Sequence, residues 1–411
     1  MKRLLAIVAM AAVVAFLSIS SLAVHAQSGP NPDHPQDDTD DLVFIHHSCG
    51  RNWLNDGLHD ALLAKEYIDE RNDIYYGTDI SPDSGRPDSL APTPGDKTDM
   101  NHWILWFNDY FGGVKIHGSE DGYNRIIMFK SCYPNSNISS EGTEPGDPFS
   151  SSKTLANYKA VYRHPDGPGN TYTRDGYIYY PLEDIFAAHP EILFIPVTAP
   201  ARHYAPTDAT NDEEAHRART FNNWLKYDWL ASYNAAHPDL HNVAVFDWFS
   251  VLTYPDTHPT HPNRLRQEYG GDSGDSHPNH DANYHSTDVY ARNTTNFIDN
   301  AWNVYNNGST LSLPQIAITQ LNATDLRISW SHDWDVSWYR VWRGEAPYFT
   351  PTGPTPRALI DADPWQYDDA GAVGDAGTNH FYLVEDILSD GILSVANRVG
   401  EFDFALTPGQ E

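Results

Sequence analysis

Short apolar runs at Leu42–Ile45, Arg125–Phe129, Ile192–Val197 and Val243–Phe246 recur through the first two thirds of the chain, and their brevity is the strongest constraint on its fold. Such runs fit strands buried on both faces and are too short for buried helices, which need about ten residues or more. A weaker run lies at Asp73–Tyr76. Between the runs the apolar residues take helical spacing, at Trp53–Ala64, Trp103–Phe111, Leu155–Tyr162, Glu213–Ala236 and Val289–Tyr305. A strand apolar on both faces must bury both, so the alternation predicts a parallel sheet between two helical layers. Irregular segments at 77–100, 133–150, 163–176 and 254–283 are rich in Asp, Asn, Gly, Pro and Tyr. In such a sheet they belong outside the carboxyl ends of the strands, where ligands bind.

The two ends of the chain read differently. Met1-Lys2-Arg3, an apolar run from Leu4 to Leu17 and the small-residue site Val24-His25-Ala26 have the pattern of a secretory signal peptide over 1–26. The run is too short for a membrane span. Residues 27–40 are polar and rich in Pro and Asp, as in a flexible leader. The mature protein is therefore expected to be secreted, extracellular or periplasmic. Helical spacing stops after Asn306-Asn307-Gly308, which closes an α/β domain at 41–308. Alternating stretches at Gln315–Ile318, Leu326–Trp330, Trp338–Arg343, His380–Glu385 and Glu401–Leu406 predict an all-β domain over 313–411. Trp330, Tyr339-Arg340-Val341, Phe381-Tyr382-Leu383-Val384 and Ser394-Val395-Ala396-Asn397 follow in an order that resembles the fibronectin type III pattern. That resemblance implies a β-sandwich.

The first strand runs into a reactive residue. In Leu42-Val43-Phe44-Ile45-His46-His47-Ser48-Cys49-Gly50 a hydroxyl stands between strand and helix, at the sheet's carboxyl edge and near the helix's positive end. A serine before a helix is most often only an N-cap. A second segment, Gly271-Asp272-Ser273-Gly274-Asp275-Ser276-His277-Pro278-Asn279, precedes the last helix and supplies an imidazole and carboxylates. A hydroxyl becomes a good nucleophile when a positioned imidazole takes its proton, and a carboxylate fixes that imidazole's tautomer. Together the two segments resemble the first and last motif blocks of the SGNH/GDSL hydrolases. The resemblance implies a flavodoxin-like three-layer α/β/α fold, with Ser48 as nucleophile, His277 as base and an acid orienting the histidine. The usual Gly-Asp-Ser is here His46-His47-Ser48, and the usual acid position, three before the histidine, holds Gly274. Asp275 needs less loop rearrangement than Asp272 to serve as the acid, and a Ser–His dyad with a backbone carbonyl in place of the acid is the third arrangement.

The same resemblance implies an oxyanion hole built by an asparagine after the third strand and a glycine after the second. Asn135, with Asn137 behind it, and Gly77 in Tyr75-Tyr76-Gly77 stand nearest those places. Amide and backbone donors suit a developing alkoxide, although an Asn in such a loop more often makes an Asx turn. Ile192–Pro200 and Val243–Trp248 look like the fourth and fifth strands of carbohydrate-esterase members of that class.

Cys49 and Cys132 follow the first and third strands, which are neighbours in that fold. In an oxidising compartment they are expected to form a disulfide stapling the Ser48 turn to the Asn135 loop. Two free thiols, or Cys49 as the nucleophile, are the competing readings. His46, His47, His277, His280 and His285, with Asp275 and Asp281, carry the ligand types of a hydrolytic metal centre, but no spacing such as His-Glu-x-x-His occurs. No metal or other cofactor is expected. A formal net charge of −30 repels phosphate backbones and anionic lipids, which argues against nucleic acid and membrane surfaces as partners. Neutral glycans, or substrates carrying cations, suit that surface better, and acidity also serves plain solubility.

The expected protein is a secreted serine esterase that deacylates a carbohydrate or polysaccharide ester. Trp103, Trp106, Tyr133 and Tyr204 are its candidate sugar-stacking rings, although Trp103 and Trp106 also suit the buried face of a helix. The competing reading is a catalytically inactive extracellular glycan-binding or surface-associated protein on the same fold.

Overall fold

The computed structural model describes residues 42–401 with breaks at 69–72, 75–79, 88, 92, 119–121, 205–211, 257, 293–295, 308–315, 331–335, 347–348, 350–356, 361–364, 374–377 and 389–392. The expected signal peptide 1–26, the leader 27–40, Gly77 and residues 402–406 of the last expected strand lie outside the described residues.

The apolar runs form β1 (Leu42–Ile45), β2 (Asp73–Ile74), β3 (Ile126–Lys130) and, after a hairpin of β4 (Tyr172–Arg174) and β5 (Tyr177–Tyr179), β6 (Leu193–Val197). Parallel pairing gives the order β2-β1-β3-β6. Alternate residues of each strand feed different cores. Val43, Ile45, Ile127, Phe129 and Phe194 pack with Trp103, Phe107, Phe186 and Trp229 on one side. Leu42, Phe44, Ile126, Met128, Leu193 and Ile195 pack with Trp53, Phe246, Trp248 and Trp302 on the other. Both faces are covered, so all of Leu42–Ile45 and Ile126–Lys130 are buried. Phe194 stacks on Phe186 at 4.1 Å; cutting such a residue to Ala costs about 3–5 kcal/mol.

The run at Val243–Phe246 lies beside β6 but makes only isolated parallel bridges, Phe194 to Val243 and Val197 to Phe246. Pro196 is the cause. The N–H of Phe194 donates to Asn242 O (2.9 Å), Ala244 to Phe194 O (3.0 Å), Phe246 to Pro196 O (3.1 Å) and Thr198 to Phe246 O (3.0 Å). The rung missing between them is the one whose donor a proline lacks.

Helices cover both sides. Cys49–Trp53 begins four residues earlier than the spacing predicts and runs on to His59–Ala64 through a kink at Asp56 and Gly57. Leu155–Tyr162 matches its expected span. The last expected helix is interrupted: His280–Thr287 and Asp288–Arg292 precede a separate Phe297–Asn307.

Beyond these, β7 (Ile316–Gln320), β8 (Leu326–Trp330), β9 (Val336–Gly344), β10 (Ala358–Ile360), β11 (Gln366–Asp369), β12 (His380–Leu388) and β13 (Leu393–Glu401) form two antiparallel sheets. Their orders are β10-β9-β12-β13 and β11-β8-β7. Leu326, Ile328, Trp330, Tyr339, Val341 and Tyr382 share one core. Arg340 of β9 lies 4.4 Å over the Tyr227 ring, and Val304 packs against that core, so the sheets rest on the helical layer. Among the described residues no helix is long and apolar enough to cross a membrane.

Candidate active site

Between the end of β1 at Ile45 and the helix start at Cys49 the chain reverses within three residues. Ser48 takes φ 45° and ψ −87° to do so, a conformation that costs a non-glycine residue about 1–3 kcal/mol. Gly50 makes room for the turn: a Cβ there would meet His46 Cβ at 2.5 Å. Its N–H donates to His47 O at 3.1 Å. Lys130, buried at the tip of β3, donates to the same carbonyl at 3.2 Å.

The Ser48 hydroxyl is hydrogen-bonded to His277 Nε2. On the other side of the ring, His277 Nδ1 lies 2.7 Å from Asp275 Oδ1, and the same oxygen accepts the His277 backbone N–H at 3.1 Å. The carboxylate thus takes the backbone and the ring of one residue in a single local turn, which is how an acid two positions away reaches the imidazole. Gly274, at φ 79°, provides the bend. Ser273 Oγ accepts the Asp275 N–H at 3.1 Å. Asp272 is engaged elsewhere, accepting from Gln267 Nε2 at 3.1 Å. Burial pushes the Asp275 carboxyl up, but the hydrogen bonds from His277 outweigh it and hold the group below the usual carboxylate range. A carboxylate at Nδ1 selects the tautomer protonated there, leaving the Nε2 lone pair toward the serine.

Two tryptophans hold the halves of this site in register. Trp53, on the helix that starts after Ser48, stacks on Trp248 at 4.6 Å. Trp53 Nε1 donates to Thr287 Oγ1 (3.1 Å) and Trp248 Nε1 to Ser286 Oγ (2.8 Å), both on the helix that follows His277. Asp56 adds a second tie, accepting from Asn283 Nδ2 at 2.7 Å and lying 3.0 Å from His280 Nδ1. Asn279 caps that helix by accepting the Ala282 N–H at 3.0 Å. Tyr133 sets its ring edge-to-face with His277 at 5.0 Å, and Arg202 lies 5.5 Å over Tyr133. The relay opens to solvent, with side-chain exposure of 27% at His277 and 63% at Asp275.

Other expected residues stand apart from this chemistry. Asn135 is buried, and its amide donates to Asp99 Oδ1 at 2.8 Å and Cys132 O at 3.3 Å while Oδ1 accepts the Met100 N–H at 3.0 Å. Both amide hydrogens are occupied, so Asn135 ties its loop to the 99–102 turn. The expected disulfide is corrected: Cys49 and Cys132 are free thiols with sulfurs 3.3 Å apart, against about 2.05 Å for a bond. The neighbouring strand tips bring them into contact without joining them. Trp103 and Trp106 are core, not cleft, donating to Ser131 Oγ (2.8 Å) and Lys97 O (2.7 Å). Tyr204 stacks on His261 at 3.7 Å. Among the described residues no three His, Cys, Asp or Glu converge as metal ligands; His46 packs on Phe44, His280 meets Asp56 and His285 lies beside Tyr269. A cavity bounded by Trp103, Tyr158, Phe221 and Asn222 lies behind Asn135, and neither Ser48 nor His277 lines it. Hydrogen-bond geometry, rather than concavity, therefore locates the site. Sequence reasoning missed Asp56 and Arg202; the signal for Arg202 was its place just beyond the carboxyl end of the fourth apolar run.

No family model and no curated protein matches the chain. Among solved structures, pectate lyase PelI from Erwinia chrysanthemi is similar at 22% identity over 22% of this chain and 28% of its own, with a TM-score of 0.18. The fn3 domain of human contactin 1 matches at 14% identity over 25% of this chain and 85% of its own, TM-score 0.19. An Fn3-like protein from Clostridium thermocellum matches at 18% over 24% of this chain and 100% of its own, TM-score 0.19. The match thus spans under a third of the pectate lyase. Likenesses this partial leave the chemistry to the site itself.

Proposed function

We propose that the protein is a secreted serine ester hydrolase of SGNH type, carrying a fibronectin-III-like domain and deacylating a carbohydrate ester. The observation that carries this reading is the Ser48–His277–Asp275 relay. In it, His277 Nε2 takes the hydroxyl proton as Ser48 Oγ bonds to the ester carbonyl carbon, and Asp275 stabilises the imidazolium. The proton passes to the departing alcohol oxygen, and water activated by the same imidazole releases the acid from Ser48. The open relay beside Tyr133 suits a sugar, whose faces stack on aromatic rings.

A fluorophosphonate probe followed by mass spectrometry of the adduct tests this. Labelling of Ser48, absent in Ser48→Ala, is expected; labelling elsewhere, or equal labelling of the variant, would sink the proposal. A second reading, an inactive glycan-binding protein, is favoured by one observation: the Asn135 amide is occupied by Asp99. It predicts glycan binding with neither labelling nor turnover.

A further inference from the structure

Local bonds set the His277 ring on its loop, but they do not set the loop on the sheet. Bonds from the end of β6 do. Beyond β6 the chain runs on to Arg202, His203 and Tyr204 and is held on several sides. Pro200 O accepts from Ser136 Oγ at 2.9 Å, Arg202 O accepts the Leu265 N–H at 2.9 Å, and His203 O accepts from Arg264 Nη1 at 3.3 Å. This segment grips the 271–277 loop at both ends. At the first end the Tyr204 N–H donates to Gly271 O at 2.9 Å, and Gly271 packs so closely that a Cβ would meet Leu265 O at 2.0 Å. At the second end the His203 N–H donates to Ser276 Oγ at 3.3 Å, and His203 Nδ1 lies 2.6 Å from the same oxygen. Both side chains are buried.

Ser276 stands between the acid and the base of the relay. It is buried, whereas Asp275 is exposed and His277 partly so. Its side chain therefore turns inward while its two neighbours turn to each other and to Ser48. A backbone shift at Ser276 would carry Asp275 and His277 together relative to the serine, leaving the bond between them intact. Such a displacement, at about 1 Å, costs on the order of a hundredfold in rate. We propose that His203 is a positioning residue: through the Ser276 hydroxyl it fixes how far the Asp275–His277 pair stands from Ser48. It acts through Ser276 rather than on the reacting atoms. The proposal rests on the esterase reading for the step that this distance serves.

A buried hydroxyl takes a partner in any fold, so the test must separate positioning from plain packing. His203→Phe keeps a buried ring and removes the nitrogen; Ser276→Ala removes the hydroxyl. Each is expected to lower kcat about ten- to a hundredfold with KM within about twofold of wild type. The double variant is expected to lose no more than either single one, because the two side chains form one tie. His203→Asn, whose amide reaches about as far from the backbone as Nδ1, is expected to recover most of the loss. Unchanged kcat, losses that multiply in the double variant, or His203→Asn as slow as His203→Phe would overturn the assignment. A second arm needs no turnover: hydrogen exchange on the full chain. The His277 N–H, which donates to Asp275 Oδ1 at 3.1 Å, is expected to exchange about tenfold faster in His203→Phe and to return toward wild type in His203→Asn. The Gly271 N–H, which donates to Arg266 O at 2.8 Å, is expected to stay within about twofold of wild type. That response in a chain that hydrolyses no ester keeps the tie and sinks the esterase reading alone. Hydrolysis in which neither kcat nor exchange responds sinks the tie and leaves the esterase.

Discussion

The 271–277 loop and the 131–137 loop both adjoin the Ser48 turn and both carry residues a hydrolase uses, yet they handle them oppositely. In the first, the bonds that aim His277 are local: Asp275 grips the ring and the backbone of a residue two positions away, and Ser273 fixes Asp275. In the second, Asn135 is held by Asp99 and Met100, more than thirty residues upstream. A side chain oriented by its own loop is delivered to the neighbouring serine. One oriented by a distant turn becomes part of the scaffold, whatever its chemistry.

The strongest way to break this contrast is to remove the delivered groups. Ser48→Ala or His277→Ala should each lower kcat about 10⁴-fold or more, with melting behaviour near wild type, because the members of such a relay act as a unit. Full turnover in His277→Ala would show that the 271–277 loop delivers nothing to the serine.

Next comes the acid. Asp275→Asn should lower kcat on the order of 10²–10⁴-fold by disturbing the tautomer, while Asp272→Asn, whose carboxylate meets Gln267, should stay near wild type. A loss under about tenfold in Asp275→Asn would reduce the relay to a Ser–His dyad.

Asn135→Ala sharpens the other half of the comparison. A true oxyanion donor costs about 10²–10³ in kcat when removed. The occupied amide predicts instead a loss under about tenfold, with stability down by about 1–3 kcal/mol as Asp99 and the Met100 N–H lose their partner. A hundredfold drop in kcat with an unchanged melt would mean that the amide turns toward substrate.

The same division governs what could be read in advance. The strands were legible because both faces are buried, so Leu42–Ile45 and Leu193–Val197 carry no polar residue. Ser48, His277 and Asp275 were legible because each lies in a short segment whose consequence is local. The hairpin Tyr172–Tyr179 and the three- and four-residue β10 and β11 were missed, being too short to show a period. At Val243–Phe246 the apolar run was visible, but the broken ladder depends on Pro196 in another strand. The engagement of Asn135 and the contact of Arg202 with Tyr133 are tertiary facts, without a trace in spacing.

The smallest expected effect is on stability. The Asp275 carboxyl is held below its ordinary value because hydrogen bonds from His277 outweigh burial. A carboxyl depressed in the folded state contributes stability above its unfolded value of about 3.9, and that contribution is lost as pH falls through the folded value. Its side chain is 63% exposed, so solvent screens the interaction and the contribution is small. Wild type should therefore melt no more than about 2 °C above Asp275→Asn at pH 6, with the gap closing as pH falls below the unfolded value of about 3.9 and through the lower folded one. Thermal melts of both proteins across that range check it. A gap that persists unchanged at pH 2 would show that the charge of Asp275 contributes nothing to holding the loop. Its orientation would then rest on Ser273 and the bend at Gly274, both within the same loop, with its acid serving chemistry alone.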